Sequence, residues 1–165
     1  INALRTEKTK IKFVKMQSCG NDYIFFDNMD GKITCPESLA INFVDRHFGV
    51  GGDGIALIER SDVADAKMRI FNKDGSEGRM AGNSIRCVAK YLFDNGMVKG
   101  KNITIETLSG VKELSLFTFN GKVSSVSVSA WRPHPWGRMV LQAPVPLIQA
   151  SIVIPYLMAK PIASP

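Results

Sequence analysis

The stretch NKDGSEGRMAGNSIR, Asn72 to Arg86, decides how this chain is read. A polar turn (Lys73, Asp74, Gly75, Ser76) leads towards Gly82-Asn83, and Gly82-Asn83 opens directly into an apolar pattern. From about 84 to 95 the positions Ile85, Val88, Ala89 and Leu92 recur at helical spacing, and Asn95-Gly96 supplies a stop. A glycine-flanked turn therefore stands at a helix N-terminus, where unpaired N–H groups and the positive end of the dipole favour an anion. A site handling an amino-acid carboxylate, or needing a thiolate of lowered pKa, can be built there. The residue before Gly82 is Ala81, which can do no acid–base chemistry.

Outward from this stretch the chain reads mainly as strands. Residues 11–15 alternate apolar and basic, Gly20-Asn21-Asp22 is a turn signal, and 23–26 form a compact apolar strand. Pro36-Glu37-Ser38 opens a short helix expected to run to about Arg46. Residues 55–59 and 67–71 read as strands, as do 103–108, 111–117 and 122–128; the last three are separated by the hairpin signals Ser109-Gly110 and Asn120-Gly121. Strands before and after one main helix predict an α+β fold: a mostly antiparallel sheet wrapped round one central helix.

Residues 1–10 read as a loose polar tail and 11–128 as the domain. At Ser129 the composition changes: seven of the eight prolines and both tryptophans fall in the last 37 residues, which hold no acid. Residues 129–165 therefore read as an atypical proline-rich tail that is not a native continuation of the domain. The uncharged run 139–159 approaches the length of a membrane span, but Pro144, Pro146, Pro155, Gln142 and Gln149 interrupt it, so no membrane association is expected.

The formal charge of +6 belongs to the ends: +4 in residues 1–15 and +3 in 129–165, against −1 for 16–128. The body lacks the basic stripe that a nucleic-acid surface needs, so no nucleic-acid partner is expected. Three cysteines (Cys19, Cys35, Cys87) without a CxxC, and two histidines, argue against a zinc site or a disulfide framework, and a reducing cytoplasmic compartment fits. The first residues show no basic-then-apolar pattern, so no secretion signal is expected.

Taken together the motifs resemble the diaminopimelate epimerase family. They are Lys15-Met16 with Gly20-Asn21-Asp22, the run from Arg46-His47-Phe48 through Gly49-Val50-Gly51-Gly52-Asp53-Gly54, and Arg69-Ile70-Phe71-Asn72 with Asp74-Gly75-Ser76-Glu77. Gly82-Asn83 with Ile85-Arg86-Cys87 completes the set. They fall in the order of that family's N-terminal half and cover 11–128.

The resemblance implies one of two similar halves, each a sheet round a central helix, with the active site in the cleft between. It also implies a chemistry without pyridoxal phosphate or metal, in which one cysteine per half removes or delivers the α-proton on opposite faces. LL- and meso-diaminopimelate would be interconverted on the way to lysine. It places Asn21, Asn72, Gly82 and Asn83 at substrate-holding positions and Ala81 where the first catalytic cysteine stands. Nothing after Ser129 resembles the second half, so this chain is expected to be inactive or nearly so. A proline racemase-like enzyme is the alternative within the fold, with Asn83 where His is more usual counting against it. A non-enzymatic amino-acid-binding module is the alternative outside enzymology.

Several residues have plainer roles open to them. Asn21 and Asn72 can simply serve their own turns. Gly49 to Gly54 lacks the GK[ST] of a phosphate loop and reads as structural. Asp74 and Glu77 read as a turn cap and a solvated side chain, His47 as a structural hydrogen-bonding residue, and Cys87 as core. Cys19, on a different segment from Ala81, is the one thiol that could stand in for the missing base. A cleft-facing surface on a half-enzyme would self-associate, so a homodimer is expected.

Overall fold

Strands with both faces covered read as continuous apolar runs, and that is how Asn21–Asp27 (β2) and Gly54–Glu59 (β3) are built. The computed structural model describes residues 9–130, 139–144 and 150–156, with side chains over 11–129. Its other elements are β1 (Thr9–Ser18), α1 (Pro36–Phe43), β4 (Ala66–Phe71), β5 (Glu77–Gly78), α2 (Gly82–Asp94), β6 (Asn102–Thr107), β7 (Gly110–Phe119), β8 (Lys122–Ala130), β9 (Met139–Pro144) and β10 (Ala150–Tyr156). They form a single mixed sheet in the order β10-β1-β2-β3-β4-β6-β7-β8-β9, with β5 added to β4. Pairing is antiparallel except between β2 and β3 and between β4 and β6. The segments 1–8 and 131–138, which includes Pro133-His134-Pro135, lie outside the described residues. So does part of the uncharged run 139–159. Among the described residues, no helix is long and apolar enough to cross a membrane.

The sheet curls, because α2 packs against β1 and β2 on one side and β6, β7 and β8 on the other. One face of each strand supplies the core round this helix: Tyr23, Phe25, Ala56, Ile58, Met68 and Ile70 meet Ile85, Val88, Ala89 and Leu92. The alternate residues Ile24, Phe26, Ile55, Leu57 and Phe71 face outward and are covered by Leu39, Ala40 and Phe43 of α1. Phe26 meets the Phe43 ring edge-on, with centroids 5.6 Å apart.

The local signals act as expected at several joints. Asn120 (φ 50°) and Gly121 (φ 75°) form the two-residue turn between β7 and β8. Thr107 pairs with Gly110 across the preceding hairpin. At the end of α2, the Gly96 N–H reaches Phe93 O at 3.0 Å and the Met97 N–H reaches Leu92 O at 2.9 Å, a Schellman closure with Gly96 at φ 70°.

Two boundaries differ from expectation. The first helix stops at Phe43, not Arg46, because the glycine loop takes its last carbonyls: Val50 and Gly51 N–H donate to Phe43 O, and Gly52 N–H to Val44 O. The central helix begins at Gly82, two residues before Ser84, because extended Ala81 caps it and Ala81 O already accepts from Ile85 N–H at 3.1 Å.

Candidate functional site

The topology gathers the motif residues at one end of the sheet. β2 and β3 run parallel with Tyr23 opposite Gly54, and β4 runs back with Phe71 opposite Ile55. Asn21-Asp22 at the start of β2, Asp53 just before β3 and Asn72 just after β4 therefore share one edge of three adjacent strands. Tyr23 on β2 and Ser84 in the first turn of α2 stand close enough to interact, which brings the helix N-terminus to the same end.

That N-terminus is left open. Ala81 is the N-cap (φ −124°, ψ 109°) and contributes no side-chain cap; no acidic residue lies in the first turn to offset the dipole. A Cβ added to Gly82 would meet nothing within 4 Å, so the side of the chain at Gly82 is open. Asn83 Oδ1 accepts from Arg86 Nη1 at 2.7 Å, which turns the Asn83 carbonyl group back along its own helix. Asn21 Oδ1 is buried without a hydrogen-bond partner.

Asn72 is exposed and bonds within its own turn: Nδ2 donates to Ser76 Oγ at 3.0 Å and its N–H to Ser76 O at 2.9 Å. Asp74 Oδ1 accepts from both the N–H and the hydroxyl of Ser76, and these bonds hold its carboxyl below the usual range. Glu77 departs from the solvated reading. It takes a bidentate pair from Arg69 at 2.8 Å on each oxygen, and that pairing lowers its pKa. Asp74 and Glu77 are thus spoken for by separate partners rather than paired for acid–base work.

A second network, which motif reading does not separate from the glycine run, fixes the Asn21 segment. Arg46 reaches Asp22 through Nη1 at 3.1 Å and Nη2 at 2.6 Å, and Asp53 through Nη2 at 3.0 Å. Lys15 adds a 3.0 Å contact to Asp22. The backbones are also tied, with Asp53 N–H donating to Asp22 O at 2.7 Å and Asp22 N–H to Asp53 Oδ2 at 3.1 Å. The glycines are steric here: a Cβ on Gly54 would fall 2.6 Å from Tyr23 Cε1 and 2.7 Å from Phe71 O. This agrees with a structural loop rather than a phosphate cradle. The His47 backbone N–H donates to Asp45 Oδ1 at 2.7 Å.

The Arg46 guanidinium holds the Asp22 carboxyl at about 2, below its ordinary 3.8, and burial opposes that shift. A lowered folded pKa gives stabilisation that is complete above the unfolded value and lost as pH falls through about 2. Asp22→Asn is therefore expected to flatten the stability–pH curve between about pH 4 and pH 2. Denaturant melts across that window check this, and an unchanged slope would refute it.

The three thiols differ sharply. Cys87 is buried in α2, and desolvation pushes its pKa up to about 12. Cys19 (φ 54°) and Cys35 are exposed. Native labelling with a thiol reagent at pH 8 is expected to modify Cys19 and Cys35 and to spare Cys87 until the chain unfolds, as mass spectrometry of digested peptides would show. Among the described residues, no group of three His, Cys, Asp or Glu is placed to hold a metal ion.

Comparison with known proteins agrees with this architecture. The diaminopimelate epimerase family profile matches residues 13–130. A diaminopimelate epimerase of Methanococcus maripaludis is 51% identical over 123 residues, covering 74% of this chain and 44% of that protein. One of Bacteroides thetaiotaomicron is 50% identical over 125 residues, covering 76% and 47%. The chain thus spans less than half the length of these relatives. Among solved structures, a probable proline racemase of Agrobacterium radiobacter with bound carbonate superposes with a TM-score of 0.59 at 20% identity, covering 80% of this chain and 48% of that one. That likeness concerns the fold: a curled mixed sheet with a helix threaded through it.

Proposed function

The chain belongs to the diaminopimelate epimerase family, and on that premise we propose that it is the N-terminal half of such an enzyme, able to hold the substrate and unable to turn it over. In the complete enzyme two thiols would act on opposite faces of the α-carbon of LL- or meso-diaminopimelate, one as thiolate base and one as thiol acid, without pyridoxal phosphate. Inversion needs a group on each face. Asn21, Asn72, Gly82 and Asn83 would hold the amino acid, and Ala81 takes the place of the first thiol. The cleft face left uncovered would favour a homodimer, in a reducing cytoplasmic setting suited to reactive thiols.

One observation carries this reading: the residue capping an open, unneutralised helix N-terminus is an alanine. Removing one general acid–base group typically costs about 10²–10⁴ in rate, and the matched residues 13–130 correspond to less than half the length of these relatives. The identity of about half to the epimerases, against 20% to the proline racemase, favours diaminopimelate over a cyclic imino acid.

Incubation of the chain with LL-diaminopimelate in D₂O, followed by NMR, tests both parts. Ligand line-broadening without loss of the α-proton signal is the expected result. Exchange by the chain as it stands would overturn the inactive reading and point to Cys19. Absence of any ligand perturbation would overturn the retained half-site.

A further inference from the structure

The curled sheet does not close on itself. β1 pairs with β2 and β10, β8 pairs with β7 and β9, and among the described residues no ladder joins β1 to β8. The end of α2 lies in the seam between these two strands and touches both, but it does not fill the seam. A cavity of about 70 Å³ remains, floored by Val14 and Met16 of β1 and walled by Lys90, Tyr91 and Asp94 of α2 and Lys122 of β8.

The walls are rich in donors. An ammonium carries three N–H groups. Lys90 gives one to the Val123 carbonyl and one to Asp94 Oδ2 at 2.8 Å, which leaves one for the cavity it lines. Lys122 Nζ gives one to the Asp94 carbonyl at 3.1 Å and keeps two at the exposed rim. The Asp94 carboxylate has both oxygens engaged, Oδ1 by the Val123 N–H at 2.9 Å and Oδ2 by Lys90. Tyr91 turns its hydroxyl to Asp27 at 3.2 Å and offers the cavity its ring.

Two ammoniums against one carboxylate leave this lining with a positive charge in excess. The negative end of the α2 dipole favours a cation at this corner, and the two lysines already supply it. What the cavity lacks is an acceptor. Since about 10–15 Å³ of such space houses one water-sized group, about five non-hydrogen atoms fit. A doubly charged phosphate would exceed the single surplus charge and set oxygens against Val14 and Met16. A carboxylate with a one- or two-carbon tail matches the charge, the space and the floor.

We propose that this cavity is a binding site for a short aliphatic monocarboxylate, with its carboxylate on Lys90 and Lys122 and its alkyl tail on Val14 and Met16. The site lies at the C-terminal end of α2, the far end from Ala81 and Gly82, and is independent of the amino-acid site.

The test titrates the full chain, carrying ¹³C at its methionine methyls, with sodium propionate at constant ionic strength. A saturable shift of the Met16 methyl signal, assigned through Met16→Leu, is expected, together with a raised melting temperature. Lys122→Met removes an exposed donor while leaving the Lys90–Asp94 pair intact, and Val14→Phe fills the floor. Each should weaken propionate binding about tenfold or more. No saturable shift, or unchanged affinity in either variant that folds, would overturn the proposal. If melting curves show that Val14→Phe does not fold, Lys122→Met decides. A Met16 response to phosphate as strong as that to propionate would overturn the aliphatic class. A response to methylammonium instead would show that Asp94 and the helix carbonyls select a cation, and would overturn the site as an acceptor's.

Discussion

Replacing Asp94 with alanine is expected to lower folding stability by about 3–5 kcal/mol, because it strands a buried ammonium. Lys90 is 3% exposed and sits where α2 meets the β7–β8 hairpin, donating to the Val123 carbonyl. Its only ion-pair partner among the described residues is Asp94, at 2.8 Å and itself 11% exposed. Asp94 does more than balance charge: Oδ1 accepts the Val123 N–H at 2.9 Å, and its backbone carbonyl accepts from Lys122 Nζ at 3.1 Å. A carboxylate in the last turn of a helix faces the negative end of the dipole. Asp94 is therefore unfavourable by position, and what retains it is the closure of this corner.

The double change Lys90→Met/Asp94→Leu separates the two costs. Removing both charges leaves no buried ion, and apolar replacements of similar volume are often neutral or better. The double variant should recover most of the loss, with only the Val123 backbone groups left to resolve. Urea melts of the three proteins read this directly. A loss below about 1 kcal/mol for Asp94→Ala would mean that the Lys90 head escapes to water along its stem, as lysines do when a path exists.

Much of this architecture is legible because its signals are local. The apolar stripe Ile85, Val88, Ala89, Leu92 specifies α2, and Asn95-Gly96 and Asn120-Gly121 supply the backbone angles that the stop and the hairpin need. The unbroken apolar runs of β2 and β3 reflect burial on both faces, one against α2 and one against α1. What escapes a linear reading is long-range. The parallel pairs β2–β3 and β4–β6 have no turn that announces them. The Arg69–Glu77 clamp joins residues on neighbouring strands, and so reads as a solvated acid in sequence. The proline-rich stretch reads as broken, yet Met139–Pro144 and Ala150–Tyr156 pair along β8 and β1. Prolines are tolerated there because, among the described residues, each strand lies at an end of the sheet order with a ladder on one side only.

The site divides in the same way. Its backbone element, a glycine-flanked helix N-terminus after a polar turn, follows from the order Ala81-Gly82-Asn83-Ser84. The Asp22–Arg46–Asp53 network does not, since 24 residues separate Asp22 from Arg46. Nor does the place of Ser84 beside Tyr23: a serine in a first turn looks like any helix-start residue until its burial is known.

Ala81→Cys is expected to create a thiol that ionises at about 7.5 or below, a unit or more beneath an ordinary cysteine. The position lies at the N-cap of a 13-residue helix with no first-turn acid, so the thiolate would face an unscreened dipole and free N–H groups. Burial is the opposing force, and at Cys87 it wins outright because that thiol lies well inside the helix among apolar side chains. Ala81 is only partly buried, so the dipole should prevail there. Alkylation by iodoacetamide across pH 5–9 should show one fast thiol with a low midpoint, against slower reaction at Cys19 and Cys35. A midpoint at 8.5 or above would show that desolvation cancels the dipole. Even with a competent thiolate, the Ala81→Cys chain should not interconvert LL- and meso-diaminopimelate: one base can remove the α-proton and return it to the face it left, but inversion requires a donor on the other. Stereochemical analysis of the recovered amino acid decides the point. Epimerisation by Ala81→Cys alone would show that a group already in this chain reaches the second face.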